Sequence, residues 1–453
     1  MSTKASVLVI GAGLAGLQTA RLLHLRGVDV TVLEASERVG GRTSSQPIGK
    51  ATFDLGGQWI GPTHRRMAKL VAELGIGTFP TFEQGRKVLV IGQKRTTYEG
   101  TIPSLAPHKL ALLQLALWRI DWMAKKIPAS DPWSAPDAEK WDSMTLETWK
   151  RRAVPSSEVR GIFDAVVRVV FGAEASELSV LHFLYYVRQA GGLMPMVEIR
   201  GGFQETRFTH GAQSVSTALA ASLPGRVHLG SPARRIAQTA SGITVESDAG
   251  TFQADRAVVA VPPAIAARIR FEPGLPALRD ELSQRFPMGG TLKCHALYDR
   301  PFWREAGLSG EAVLTEGPVS VVFDNTSHDG AQPALVAFCV GRAAREVGRL
   351  PEPDRRALIT GVLTRCFGPE ATTPTHYTDK DWSADPWARG CPTGILPPGA
   401  LTTFGPALRR PTGRIHWAGT ETARECTGFM EGALESAERA SEEVLAALKH
   451  AAT

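Results

Sequence analysis

Three glycines carry the first chemistry that can be read from this chain. Gly11, Gly13 and Gly16 stand in G-x-G-x-x-G spacing, directly after the apolar run Val7 to Ile10 and ahead of a helical pattern that lasts to Gly27. That spacing suits a pyrophosphate. Gly11 permits a sharp turn off a strand, Gly13 lets backbone approach a phosphate with no Cβ in the way, and Gly16 lets the following helix pack closely on the sheet. The free N–H groups and positive dipole end of that helix then face the anion. A second β-branched run, Val28 to Leu33, ends in Glu34, where a carboxylate can take ribose hydroxyls. The competing reading is a ligand-free glycine turn, which needs neither the acid nor a strand and helix on either side.

Two further glycine pairs follow, in "ERVGGRT" (Glu37 to Thr43) and "FDLGGQWIGPTHRR" (Phe53 to Arg66). A nicotinamide cofactor requires no second pair of glycine turns here, whereas a large flat ring lying over the backbone does. Arg42 is placed to neutralise a pyrophosphate, and Gly56, Gly57 and Gln58 to line the ring. Otherwise these are two surface turns.

The elements that must position these residues give an α/β (α+β) pattern in several pieces. Residues 74–200 carry helical periodicity, in "PHKLALLQLALWRIDWMAKKIP" and in a segment ended by Gly191 and Gly192. The first of these stripes could lie in a membrane interface, but a helix packed in a substrate domain is the simpler reading. Short β runs with glycine turns then lead to "RAVVAVPP", a buried strand that rejoins the first sheet. "GTLKCHALYDRPFW" and "VSVVFDN" read as strands of a second sheet. Near the C-terminus a strand, Ile415 to Ala418, stops at Gly419, and a helix starts near Met430 with free N-terminal amides. Two helix N-termini from opposite ends of the chain thus converge on one ligand. The expected organisation is a discontinuous doubly wound, Rossmann-like nucleotide domain (1–80, 205–285 and 396–453) and a substrate domain of mixed sheet and helices (81–204 and 286–395).

Composition limits the function classes. The 453 residues, 43% hydrophobic and 21% charged, describe an ordinary globular protein of two or three domains. The net charge of +6 comes from short basic pairs separated by acids, so no nucleic-acid surface is expected. Five dispersed cysteines without a C-x-x-C pair argue against a disulfide framework or a metal site. No apolar leader, long apolar span or hydrophobic tail is apparent, which leads to the expectation of a cytoplasmic protein with no membrane partner.

Taken together, "VIGAGLAGL", "LEASERVGGRT", "DLGGQWIGP", "YYVRQAGG", "GGFQETRF", "LKCHALYDRPFW", "RIHWAGTETA" and "GFMEGALESAERA" resemble the flavin-dependent monoamine oxidases, in family order and over almost the whole chain. The resemblance implies FAD, a small amine and O₂ as partners, and a possible homodimer. It assigns Glu34 and Ala35 to the adenosine ribose, Ala233 to the adenine, and Arg42 to the phosphates. Ala15, Trp59, Gly419 and Gly428 fall in the same cofactor motifs, and Glu421 and Met430 where the family contacts the ribityl chain and isoalloxazine. Lys293 stands where the family holds a water near flavin N5, and positive charge there helps O₂ accept electrons. Trp382 packs near the flavin, and Cys391 matches the cysteine that forms a thioether to the ring in covalent members; its alternative is a free buried thiol.

Departures fall in the substrate pocket. The family's aromatic cage uses an aromatic just after the cysteine and a second in the "GFMEGA" segment; here these positions are Pro392 and Phe429. A missing wall could come from Trp387. Gln204 matches a polar pocket residue, and Val169, Val170 and Val197 match apolar lining. The implied reaction is oxidation of an unprotonated apolar or aryl-alkyl amine through an imine to an aldehyde or ketone, with O₂ reduced to H₂O₂. No strong general base appears among the motifs, which fits direct hydride transfer. A polyamine or cyclic-amine oxidase is an alternative, with Asp324 pairing a distal ammonium. An amino-acid oxidase would need a pocket arginine for the carboxylate, and a flavin-bearing binding protein without catalysis would not need the retained Lys293, Trp382 and "GTE".

Overall fold

The computed structural model describes residues 3–100 and 105–452. Its first sheet has eight strands among the described residues, and the strand Thr3–Ile10 sits inside it. That strand is buried because both its neighbours are parallel: Val30–Leu33 on one side and Gly250–Val259 on the other. Parallel strands need crossovers that cover both faces, and the near-continuous apolar run of Val7 to Ile10 meets that demand. Outward from Gly250–Val259 the order continues through Ile243–Ser247 and Ala233–Gln238 to Arg270–Glu272, while Ile415–Trp417 also pairs with Gly250–Val259. A strand from residue 415 therefore lies two positions from the first strand of the chain.

The second sheet has seven strands, in the order His376–Asp381, Thr291–Leu297, Ala334–Val340, Val321–Asp324, Leu308–Leu314, Arg86–Ile91 and Lys94–Tyr98. Its neighbours are antiparallel except Leu308–Leu314 with Arg86–Ile91. Thr291–Leu297 is buried at every position, since it is covered on both faces, and its polar members Lys293 and His295 must find partners inside.

Helices form the third body. Ser157–Phe171 starts at Ser156, whose side chain accepts from Val159 N–H, and stops at Gly172 in the left-handed region (φ 64°). Val180–Ala190 repeats the device with Ser179 and Gly191. These caps define both helices that the sequence pattern predicts. Pro107–Ala124 buries Leu113, Ala116, Ile120 and Met123 and leaves Leu115, Trp118 and Trp122 exposed. Among the described residues no helix is long and apolar enough to cross a membrane.

One core joins the helices of residues 120–203 to Leu282, Phe286 and the segment from Ile395 to Leu408. The boundaries expected at 285 and 396 therefore shift: Leu282 of Ala277–Gln284 and the apolar side chains Ala400, Leu401 and Phe404 pack against these helices rather than on the first sheet.

Candidate functional site

A cavity of about 420 Å³ runs between the first sheet, the helical core and the second sheet. At one end lie Gly11, Gly13, Ala15, Glu34, Ala35 and Ala233; at the other lie Lys293, Gln204, Phe429 and Trp59, with Arg42, Gly56, Gly57, Gln58, Trp382, Cys391, Gly419, Gly428 and Met430 also on its wall.

The first end is made mostly of backbone. Gly11 has φ +103°, and a Cβ on Gly16 would sit 1.9 Å from the Gly11 carbonyl oxygen, so the helix Leu14–Leu25 can approach only as glycine. Gly13 differs: a Cβ there would meet nothing within 4 Å and would stand in open space beside the cavity. No side chain caps this helix, which leaves its first amides free for a ligand. Glu34 accepts from Ala12 N–H at 2.6 Å and Ser36 N–H at 2.9 Å, so its carboxylate is fixed with lone pairs to spare. Burial raises its pKa, opposed by those amides. The C-terminal helix Met430–Ala452 packs on Leu14–Leu25, and its first residue reaches the same cavity.

The other end is made of side chains. Trp382 donates Nε1–H to Leu55 C=O at 2.7 Å and packs so closely that a Cβ on Gly56 would lie 2.9 Å from its ring. Lys293 is 2% exposed and donates to Gly56 C=O at 2.9 Å and to Gln58 Oε1. Burial lowers its pKa to about 7, with the nearby Asp54 carboxylate opposing. Phe429 meets Phe203 edge to face at 4.8 Å, and Trp59, Phe323 and Phe338 form a second aromatic group. Gln204 donates Nε2–H to Met196 C=O at 3.0 Å, while its buried Oε1 has no partner. Cys391 lines the cavity, and burial pushes its thiol up to about 11.

Five expectations change. Asp324 does not reach the cavity: it takes a bidentate ion pair from Arg304 at 2.6 and 2.8 Å and an N–H from Trp303 at 2.7 Å, and so has no lone charge for a distal ammonium. Trp387 stands at the nucleotide end, under Arg234 at 5.7 Å, and leaves the wall beside Phe429 to Phe203 and Tyr186. Val197 is not on the lining, where Met196 takes its place, whereas Val169 and Val170 are. Glu421 lies behind the wall as the counter-ion of Arg42, bonded at 2.6 and 2.9 Å; Arg42 also donates to Pro392 C=O at 2.8 Å. A bare carboxylate facing a diphosphate would repel it, and burial against an arginine removes that conflict. Gly16 also stays off the lining, as a packing glycine.

Sequence reasoning missed Tyr186, Phe203, Phe323 and Phe338. The two strand phenylalanines show a signal only in retrospect, because each is an apolar residue in a strand buried on both faces. Tyr186 is recruited by a hydroxyl contact to Thr393, far away in sequence.

The residues fit a long dinucleotide ending in a flat ring: an open glycine at an uncapped helix start, a fixed carboxylate beyond it, and glycines 56 and 57 beside aromatic walls. Comparison with known proteins shows what the chain as a whole is similar to. Residues 14–445 match the model of the family described as flavin containing amine oxidoreductase. A flavin-containing amine oxidase of Oncorhynchus mykiss is 38% identical, covering 97% of this chain and 85% of that protein. A putrescine oxidase solved with putrescine bound superposes with a TM-score of 0.95 at 31% identity, covering 98% of this chain and 100% of the other. Cyclohexylamine oxidase from Brevibacterium oxydans gives 0.94 at 32% identity, covering 98% and 99%.

Proposed function

The chain belongs to the flavin-containing amine oxidoreductases, and on that premise we propose that it oxidises amines with an apolar ring or aryl-alkyl body, in preference to diamines. FAD, when bound, would supply the acceptor for a hydride equivalent from the amine α-carbon, with O₂ as the final oxidant reduced to H₂O₂ and the imine hydrolysed by water to an aldehyde or ketone. Glu34 and the amides after Gly13 hold the ribose and pyrophosphate, with Arg42 kept oriented by Glu421. Trp382, Gly56 and Gly57, which line the other end of the cavity, would hold the ring.

One observation carries the substrate preference. The acidic residues on the cavity wall are Glu34 and Asp385, and both are at the nucleotide end, where Asp385 binds Lys380 and the amides of Trp387 and Ala388. The ring end therefore offers no carboxylate to a second ammonium, and a desolvated, unpaired charge there is costly. It does offer Gln204 Oε1, an unpartnered acceptor for the N–H of a neutral amine, between Phe429, Phe203 and Tyr186. Putrescine, the molecule bound in one structural neighbour, carries a second cation for which the ring end of this chain has no carboxylate; cyclohexylamine carries none.

An amine panel with H₂O₂ detection tests this reading. We expect kcat/KM for cyclohexylamine and benzylamine to exceed that for putrescine by roughly 100-fold, about 3 kcal/mol for one unpaired ammonium. Equal or better turnover of putrescine would overturn the preference. A covalent bond from Cys391 to the flavin belongs to the same proposal, since the sulfur lines the cavity; burial holds the thiol up at about 11, opposed in part by the charges of Arg42 and Lys293. After acid denaturation the flavin is expected to stay with the polypeptide, and full release of the flavin would sink the linkage.

A further inference from the structure

Behind Lys293 runs a file of buried polar groups with no part in holding the amine. Lys293 donates to Gln58 Oε1, Gln58 Nε2 donates to Asn325 Oδ1 at 3.0 Å, Asn325 Nδ2 donates to His295 Nδ1 at 3.2 Å, and His295 Nε2 donates to Asp54 C=O at 3.1 Å. None of Gln58, Lys293, His295 and Asn325 is more than 2% exposed. An ammonium can only donate and a backbone carbonyl can only accept, so the two ends fix the direction of every bond between them.

This makes His295 the neutral Nε2–H tautomer, and its orientation dictates the flips of both amides. Asn325 is itself held: its N–H donates to Ala334 C=O at 2.8 Å, and Arg207 donates to its C=O at 3.1 Å. Were the direction reversed, Gln58 would turn its NH₂ towards Lys293 and repel the ammonium. Lys293 spends two N–H groups on Gly56 and Gln58 and keeps a third, between the faces of Trp59 at 5.7 Å and Phe338 at 5.5 Å, both on the cavity wall.

We propose that Asn325 and His295 are positioning residues for Lys293: by fixing the Gln58 carbonyl on its ammonium they keep that cation charged and aim its remaining N–H at the ring end of the cavity. The proposal rests on the flavin amine oxidase reading above. The charged or titratable groups facing Lys293 are Asp54, Arg207, Cys391 and His295, while Lys380, its register neighbour, is paired with Asp385. Burial lowers the lysine to about 7, so the ammonium is present below that pH and is lost as pH rises through it. Removing the Gln58 acceptor takes a hydrogen bond from the charged form alone, which moves the loss to lower pH.

The test compares His295→Leu, His295→Gln and Asn325→Leu in the flavin-loaded enzyme. Glutamine can accept from Asn325 and donate to Asp54 as histidine does; leucine can do neither. Two quantities are read: the pH midpoint of the flavin absorbance in the resting oxidised protein, and the rate constants for anaerobic reduction by amine and for reoxidation by O₂. Both leucine variants should lower the midpoint by about one pH unit and slow reoxidation at pH 7 about fivefold, with reduction changed less than about threefold. His295→Gln should restore most of both. Unchanged midpoints in the leucine variants, or a glutamine variant no better than leucine, would overturn the relay; if Asn325→Leu fails to fold, the His295 pair decides alone. If no amine reduces the parent flavin, the functional reading fails, and the absorbance midpoint still judges the relay.

Discussion

The two ends of the cavity are built on different principles. The nucleotide end is centred on a turn between adjacent elements, and its contacts there are backbone amides, glycine Cα atoms and the Glu34 carboxylate, which takes two amides. The ring end gathers side chains from the helical core, three strands of the second sheet and the C-terminal segment, and no two of its aromatic groups come from one local motif. Backbone sites are specified by what is missing, since a glycine works by having no Cβ. Side-chain sites are specified by partners supplied elsewhere in the fold. The first kind is written in a few consecutive residues, and the second only in the register of distant strands.

The largest effect expected from this contrast is at the glycines themselves. Gly16→Ala puts a methyl 1.9 Å from a backbone oxygen that cannot rotate away. The helix must lift off the sheet, at a cost of about 3 kcal/mol. Gly13→Ala adds the same methyl in open space, so the flavin-free protein should keep its stability to within about 0.5 kcal/mol, while its flavin content falls sharply. Thermal unfolding of the apoprotein and the absorbance ratio of the purified protein measure the two effects. A Gly13→Ala protein with full flavin would break the contrast, because the open space would then not be the ligand's.

The same contrast explains what the sequence made legible. Gly11, Gly13, Gly16 and Glu34 reach their places through one strand, one helix and one parallel pairing, and spacing alone conveys that. The parallel pairing around the first strand follows from its apolar run. At the ring end the signals mislead or vanish. Asp324 ends a strand that borders the site and so reads as a pocket acid, yet its partner Arg304 lies twenty residues upstream and draws it away. Glu421 and Arg42 are 379 residues apart, so each reads as a ligand contact in isolation, although they are each other's counter-ion. Asn325 and His295 carry no motif at all. They are paired because strands Val321–Asp324 and Thr291–Leu297 flank the same neighbour, Ala334–Val340, in one sheet.

A smaller effect tests the ring end from within. Gln204→Leu keeps the volume and removes only polarity: the orphan Oε1, and the Nε2–H that holds Met196 C=O. If Oε1 accepts from the amine both before and during reaction, its loss raises KM and leaves kcat nearly unchanged, because uniform binding is what disappears. One neutral hydrogen bond is worth about 1 kcal/mol, so kcat/KM should fall roughly fivefold. Flavin content should be unaffected, since nothing at the nucleotide end touches Gln204. A loss of flavin, rather than of amine affinity, would mean that this side chain supports the ring instead of the substrate, and the division between the two ends would have to be drawn on the other side of residue 204. An unchanged KM would remove Gln204 from amine binding and leave the aromatic walls to orient the substrate by shape alone.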